Sequence, residues 1–304
     1  MTQLLNALPG ALAQGLIWGV MAIGVYITYK VLDIADLTVD GSICTGAAVC
    51  TMLLLGGQSP WLALLCAVLA GVLAGAVTGL LHVGLGIPPI LAGILTQMVL
   101  WSVNLKLLGK ANQALPARTT PVLLSQMDVG GALPVLLGFC VVLVALLVLF
   151  FGTELGCALR ATGCNPVMSR AQGVNTGLMK IIGLALSNGV VALSGALLCQ
   201  YQGYTDVNMG RGAVVIGLAA VVIGQAVLGR RGGRMAVQLG GVILGAMIYY
   251  IVYQVIIFAG FDTDLLKMFS AVVVAVFLGA PHVKAQLKAH SRSKKGDSGH
   301  AENE

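Results

Sequence analysis

The sequence predicts an all-α, polytopic membrane protein, a transmembrane bundle of about eight to ten spans. Of its 304 residues, 58% are hydrophobic and only 9% are charged, whereas soluble domains carry about 25% charged residues. The mean hydropathy is +0.95, and the apolar residues form runs of about 20, the length of a membrane-crossing helix. A soluble core cannot hide this much apolar surface. Soluble enzymes, nucleic-acid-binding proteins and secreted modules are therefore excluded.

The apolar runs give the candidate spans in chain order. They cover residues 10–31, 39–56, 60–82, 88–108, 132–152, 177–200, 210–228, 235–259 and 265–281. All should be helices, because a strand barrel needs short alternating segments and these runs are continuous. The second and seventh runs are short and begin among polar residues.

The Lys and Arg residues set the expected orientation. Ten of the 17 lie in the loop 153–176, the loop 229–234 and the tail after 281, which the positive-inside rule places in the cytoplasm. The net charge of +6 thus reports topology and not nucleic-acid binding. Nine crossings then put the N-terminus outside, and Lys106, Lys110 and Arg118 on the outer side count against this orientation.

The expected organisation is a transmembrane domain over residues 1–283, followed by a disordered cytoplasmic tail over 284–304. Two segments, 15–49 and 183–221, suggest an internal repeat whose halves are about 10–108 and 177–281. Each segment reads as an apolar helix, an aspartate, a polar bend with glycine, and a short helix of small residues. Five crossings separate the copies, which makes the repeat inverted, as in many transporters. Chance similarity between Gly- and Ala-rich helices is the alternative.

The two polar bends are the candidate substrate pathway. A helix that starts within the membrane points unpaired N–H groups and its positive dipole end inward, and non-helical backbone at that depth lines a cavity or lies inside protein. The acidic groups of the bends could bind a cationic group of the substrate. The arginine of the second bend, or the helix ends, could bind an anionic group. Helix capping at the membrane interface is the alternative. The candidate residues are Asp36, Asp40, Ser42, Asp206, Asn208 and Arg211.

Other polar residues are assigned structural roles. Gln97, Asn104, Asn188 and Gln254 lie within spans and are expected to hydrogen-bond between helices. The seven cysteines have no CxxC pair and no histidine cluster, so we expect packing roles and no metal site. The loop 110–130 is either an amphipathic surface segment or a plain linker.

The segment after the fifth span carries strong helix-end signals. Asn165 suits an N-cap, Pro166 suits the first helical position, and Gly173 suits the position just past the last turn. These residues predict a short helix over residues 166–172. Such a helix is marginal alone in water, which suggests that something docks on it. An ordinary helical connector is the alternative.

The same segment resembles a known family. Residues 156–166 read GCALRATGCNP, and residues 171–175 read AQGVN. This run resembles the permease subunits of bacterial ABC importers, in the branched-chain amino acid and ribose permease family. The run LDIADLTVDGS at 32–42 is similar to the family's second signature. With Tyr26 and Tyr29 upstream, it looks most like members assigned to tryptophan or tyrosine uptake.

The resemblance implies the permease subunit of an ATP-driven importer in the bacterial cytoplasmic membrane. Such a subunit moves a small polar metabolite by alternating access, and we expect the metabolite here to be an amino acid, with aromatic amino acids included. The implied partners are ABC ATPase subunits, a second permease copy or homologue, and an extracytoplasmic substrate-binding protein. In the family, the loop that corresponds to 153–176 contacts the ATPase. The residues implied in this coupling are Arg160, Asn165, Pro166, Arg170, Gln172 and Gly173.

The resemblance also implies that this chain is not itself an enzyme. The chain lacks a GxxxxGK[ST] phosphate-binding loop, so we expect ATP and Mg²⁺ to bind to the partner and no cofactor to bind here. A secondary transporter driven by an ion gradient is the alternative function. An intramembrane enzyme has only the intramembrane aspartates in its favour.

Overall fold

The computed structural model of the chain describes residues 2–116, 120–228 and 234–258, together with the single positions 268, 272 and 275. Apart from those three positions, the expected span 265–281 lies outside the described residues, as do the arginines at 230 and 231 and the tail. Within the described ranges, ten α-helices and two short strands form the fold. They are α1 (Thr2–Tyr26), α2 (Val39–Leu55), α3 (Pro60–Gly84), α4 (Pro89–Leu108), β1 (Asn112–Ala114), α5 (Val129–Gly152), α6 (Glu154–Cys164), α7 (Pro166–Ala171), α8 (Thr176–Gln202), β2 (Tyr204–Asp206), α9 (Ala213–Leu228) and α10 (Met235–Phe258).

The helices confirm a multi-pass membrane protein. In the described part of the chain, six helical segments are long and apolar enough to cross a bilayer: Ala7–Val31, Pro60–Gly84, Pro89–Leu108, Val129–Gly152, Thr176–Gln202 and Met235–Phe258. The helices α2 and α9 are shorter apolar helices, at the two positions where the sequence showed short runs. Each begins after a polar bend, as predicted.

The long helix α8 is the centre of the bundle. Two hydrogen bonds show that it runs antiparallel to α1. The Ser187 hydroxyl donates to the Gly24 carbonyl at 2.8 Å, and the Ser194 hydroxyl donates to the Ile17 carbonyl at 2.7 Å. Against α3, the helix spacing depends on glycine. Gly71, Gly75 and Gly79 recur every four residues along α3. A Cβ at Gly75 would overlap the Leu184 backbone, so this spacing serves close helix packing.

The helices α2 and α9 both start inside the bundle. After α1 the chain makes a π-helical turn (Ile27–Val31), and an irregular stretch then carries it back to Asp36, beside Asn188 in the middle of α8. After β2 the chain turns inward until Gly210 lies against the Asp40 carbonyl. The two helix N-termini therefore meet near the middle of the bundle.

From this meeting point the two short helices run in opposite directions. Cys50 of α2 reaches Gln200 near the end of α8, whereas Gly217 of α9 packs against Val25 near the end of α1. Since α1 and α8 are themselves antiparallel, the pair α1 and α2 and the pair α8 and α9 run in opposite directions, as an inverted repeat requires.

One end of the bundle carries the two strands, and we call it the strand end. The strands β1 and β2 pair antiparallel, with Asn112 opposite Asp206. Neither expectation for the segment 110–130, an amphipathic surface segment or a plain linker, includes what its described residues show, which is the strand β1 and the buried Leu115 and Leu124. Sequence patterns missed this because the pairing partner lies about ninety residues away.

The opposite end carries α6 and α7, and we call it the α7 end. The helix α6 was not predicted, although Thr153 caps it by accepting a hydrogen bond from the Gly156 N–H at 3.3 Å. At Gly163 a Cβ would overlap the Val31 carbonyl, so α6 lies directly on the turn that ends the first helix. This contact ties the loop 153–176 to the first bend.

Candidate functional site: the two bends, a cavity and the short helix α7

A buried polar network holds the first bend against α8. One carboxylate oxygen of Asp36 accepts from the Thr38 N–H at 2.8 Å, and the other accepts from the Asn188 amide nitrogen at 2.7 Å. The Ser42 hydroxyl donates to the Asn188 amide oxygen at 2.6 Å. All four residues are buried. The expected interhelical role of Asn188 is confirmed, and the network fixes where α2 begins.

Asp40 caps α9 from another helix. Its carboxylate oxygens accept from the backbone N–H groups of Gly212 and Val214, each at 3.0 Å. Asp40 is therefore a helix cap, as the alternative interpretation had it. It does not lie at the membrane interface, however, because it belongs to α2 and caps α9 in the middle of the bundle. A carboxylate is well suited there, since it meets both unpaired N–H groups and the positive end of the helix dipole.

Removing this cap should loosen the junction between the two bends. We expect Asp40→Ala to lower the free energy of unfolding by about 1–2 kcal/mol, measured by thermal unfolding of the purified protein in detergent. Glu154→Ala, which removes an exposed carboxylate in the first turn of α6, is the matched control. Equal melting of Asp40→Ala and wild type would show that the contact does not support the fold.

The second bend starts with a turn built by Asp206. One of its oxygens accepts from the Asn208 N–H at 2.7 Å, and the other accepts from the Asn112 amide at 3.4 Å. The Asn208 side-chain oxygen accepts from the Trp101 indole N–H at 3.4 Å. These contacts place Asp206 and Asn208 at the strand end.

A cavity of about 630 Å³ lies between α2, α4 and the second bend, within the size range of small-molecule sites. Of the six predicted pathway residues, Asp40 and Arg211 line it, and the other four, Asp36, Ser42, Asp206 and Asn208, do not. The complete lining is Asp40, Gly41, Cys44, Ile94, Gln97, Met98, Trp101, Ser102, Asn104, Val207 and Arg211.

The contribution of α4 to this cavity was missed from the sequence. Asn104 was expected to hydrogen-bond to another helix, and that expectation is wrong. Its side chain is buried, but neither its amide nitrogen nor its amide oxygen has a hydrogen-bond partner. One sequence feature could have indicated this cavity: Gln97, Trp101 and Asn104 lie on the same face of one apolar span.

The helix α7 forms as its end signals predicted. The Asn165 side chain accepts from the Met168 N–H at 3.0 Å, Pro166 is the first helical residue, and Gln172 is the C-cap. Gly173 has a φ of +83° and donates its N–H to the Arg170 carbonyl at 2.9 Å. A left-handed backbone conformation at this position favours glycine.

The helix α7 exposes two apolar side chains beside the exposed Arg170. Val167 is 75% exposed and Met168 is 60% exposed, whereas Ser169 is buried. Arg170 donates from Nε to the Thr176 hydroxyl at 2.7 Å, which links α7 to the first turn of α8. On α6, Arg160 is exposed and donates to the Cys157 sulfur at 3.3 Å. A capped helix of this length that exposes apolar side chains at the end of a bundle fits contact with another protein.

Comparisons with known proteins give the family. Residues 8–280 match the family described as "Branched-chain amino acid transport system / permease component". The chain is 38% identical over 287 residues to the tyrosine transport system permease protein of Clostridioides difficile, covering 93% of this chain and 94% of that protein. It is 33% identical over 279 residues to an uncharacterised protein of Rickettsia prowazekii, covering 91% of this chain and 98% of that protein.

A third relative is named for a different substrate. The autoinducer 2 import system permease protein of Escherichia coli is 29% identical over 216 residues, covering 67% of this chain and 60% of that protein. No solved structure is significantly similar to the chain. The family match spans nearly all of the described helices, both bends and α7. The chain therefore belongs to the branched-chain amino acid transport system permease family, and it is the permease component of a transport system.

Proposed function

We propose that the chain is the membrane-spanning subunit of an ATP-driven ABC importer for an amino acid, with tyrosine or another aromatic amino acid as the cargo. The observation that carries this proposal is α7, a capped helix that exposes Val167 and Met168 at one end of a transmembrane bundle. The tyrosine transport permease of C. difficile, at 38% identity, supports the cargo.

In this proposal the α7 end faces the cytoplasm of a bacterial cell and the strand end faces outward. Two ATPase subunits bind ATP and Mg²⁺ and dock on α7. A second copy of this chain, or a homologue, completes the pathway, and a substrate-binding protein delivers cargo at the strand end. This chain supplies no nucleotide site of its own, because the sequence contains no phosphate-binding loop.

The contacts within the chain provide a route from α7 to the bends. Arg170 ties α7 to Thr176 at the start of α8, and Asn188 ties the middle of α8 to Asp36 and Ser42. A displacement of α7 by the ATPase would thus reach the first bend through one rigid helix. Because Asp40 is hydrogen-bonded to the start of α9, a displacement of the first bend would also move the second bend. Both bends would then move together in alternating access.

A secondary transporter driven by an ion gradient is the second candidate. The meeting of two shorter helices that begin inside the bundle favours it, since many such transporters contain interrupted helices. The two candidates differ in whether α7 has an ATPase partner.

Site-specific photo-crosslinking tests the proposal. A photoreactive amino acid at position 167 should form a covalent adduct, in membranes of cells that express the whole transport system, with a chain that carries a GxxxxGK[ST] motif. The control position is Gln58, which is exposed at the opposite end of the bundle. Adducts of that ATPase with position 58 and not with position 167 would contradict the docking assignment.

A further inference from the structure

The cavity beside α4 contains a buried amide with no partner in the protein. Asn104 is 1% exposed and lines the cavity, and both polar atoms of its side chain are unpaired. An unpaired buried polar group destabilises a fold, and nearly all such groups in folded proteins find partners. An unpaired amide at a cavity therefore points to a bound molecule that both donates and accepts a hydrogen bond.

Asn188 shows how a structural asparagine differs in the same bundle. It is also buried, but its amide nitrogen donates to Asp36 and to the Leu184 carbonyl, and its oxygen accepts from Ser42. The bundle thus satisfies one intramembrane asparagine completely and leaves Asn104 unsatisfied.

The charged groups lie toward the other end of the cavity. Asp40 and Arg211 both line it. Each oxygen of Asp40 accepts one backbone N–H from the start of α9, and a carboxylate has about four acceptor sites, so acceptor capacity remains. Arg211 is exposed and forms no salt bridge with any residue in the described part of the chain. The N-termini of α2 and α9 also meet here and favour an anion.

The spacing along α4 separates the two ends of the cavity. Gly41, next to Asp40, packs against Gln97, and Asn104 lies two helical turns further along, about 10 Å away. Between them Met98 and the Trp101 ring form an apolar part of the cavity wall, and Ser102 also lines it. The site therefore offers opposite charges at one end, an aromatic wall in the middle and an amide at the far end.

We propose that this cavity binds a zwitterionic amino acid whose aromatic ring carries a hydroxyl group. The ligand carboxylate faces Arg211 and the helix N-termini, and the ammonium group faces Asp40. The ring lies against Trp101, and the phenolic hydroxyl donates to and accepts from Asn104. This inference rests on the proposed function and makes Asn104 the residue that distinguishes tyrosine from phenylalanine.

Equilibrium binding of radiolabelled L-tyrosine and L-phenylalanine to the complete transporter in nanodiscs tests the site. A site that hydrogen-bonds a hydroxyl rejects the analogue without it, so we expect wild type to prefer tyrosine by at least about tenfold. Asn104→Leu should bring this ratio close to one, while Arg211→Gln should weaken both ligands. Val99→Ala, on the exposed side of α4, is the control and should keep the wild-type ratio.

Thermal unfolding separates ligand binding from a structural role. Without ligand, Asn104→Leu should melt no lower than wild type, because no protein hydrogen bond is lost, whereas Asn188→Leu should melt lower. An unchanged tyrosine-to-phenylalanine ratio in Asn104→Leu, or no binding of either amino acid by wild type, would overturn the site. ATP-driven amino acid uptake by the same preparation would then leave the proposed function standing, and its absence would remove that function independently.

Discussion

Gly46→Leu is expected to prevent the bundle from assembling. Gly46 lies where α2 runs against α8, and even a Cβ there would overlap the Ala192 carbonyl oxygen and Cα. Backbone cannot move aside as a flexible side chain can, so the two helices would have to separate. Separation would also break the bonds of Asn188 to Asp36 and Ser42. We expect a loss of more than about 4 kcal/mol in folding free energy, which size-exclusion chromatography would show as loss of monodisperse protein.

The matched control is Gly138→Leu on α5. A Cβ at Gly138 meets no atom within 4 Å, so the same substitution adds the same side chain to a membrane-spanning helix without a clash in this chain. It should yield monodisperse protein. Normal assembly of Gly46→Leu would show that α2 and α8 do not cross as described.

Val167→Glu combined with Met168→Glu is expected to abolish uptake without unfolding the protein. Both side chains are exposed on α7, so charging them removes no internal contact. In the proposed complex they would lie in the interface with the ATPase, where a central interface residue contributes about 2 kcal/mol or more. We expect uptake in cells to fall at least about 30-fold, with the permease still present in the membrane.

Two controls accompany this experiment. Val167→Ile keeps an apolar side chain at this position. Gln58→Glu adds a charge at the strand end, away from α7. Both control variants should retain uptake. If the double glutamate variant imported cargo at the wild-type rate, α7 would be only a connector between α6 and α8.

Local signals explain what the sequence could predict. The ends of α7 follow from Asn165, Pro166 and Gly173, which act on their own backbone or that of near neighbours. The spans follow from composition alone. In contrast, α6 was missed because the run from Glu154 to Cys164 is short and contains Gly156 and Gly163, which weaken helix propensity.

Long-range contacts explain what the sequence could not predict. Asp40 appeared as a candidate ligand or cap, but nothing in its neighbourhood shows that its partners are Gly212 and Val214. Asn104 and Asn188 look alike as polar residues within apolar spans. In the structure Asn188 has hydrogen-bond partners, whereas Asn104 is unpaired at a cavity. This difference depends on how α4 packs beside the bends, which the sequence does not show.

Transport by purified components tests the central claim most directly. Proteoliposomes should contain this chain, its ATPase partner and any second permease, with the binding protein and radiolabelled L-tyrosine on the outside. We expect uptake to require ATP on the side of α7 and to stop when the ATPase is omitted. Uptake by this chain alone, driven by an ion gradient without ATP, would contradict that claim.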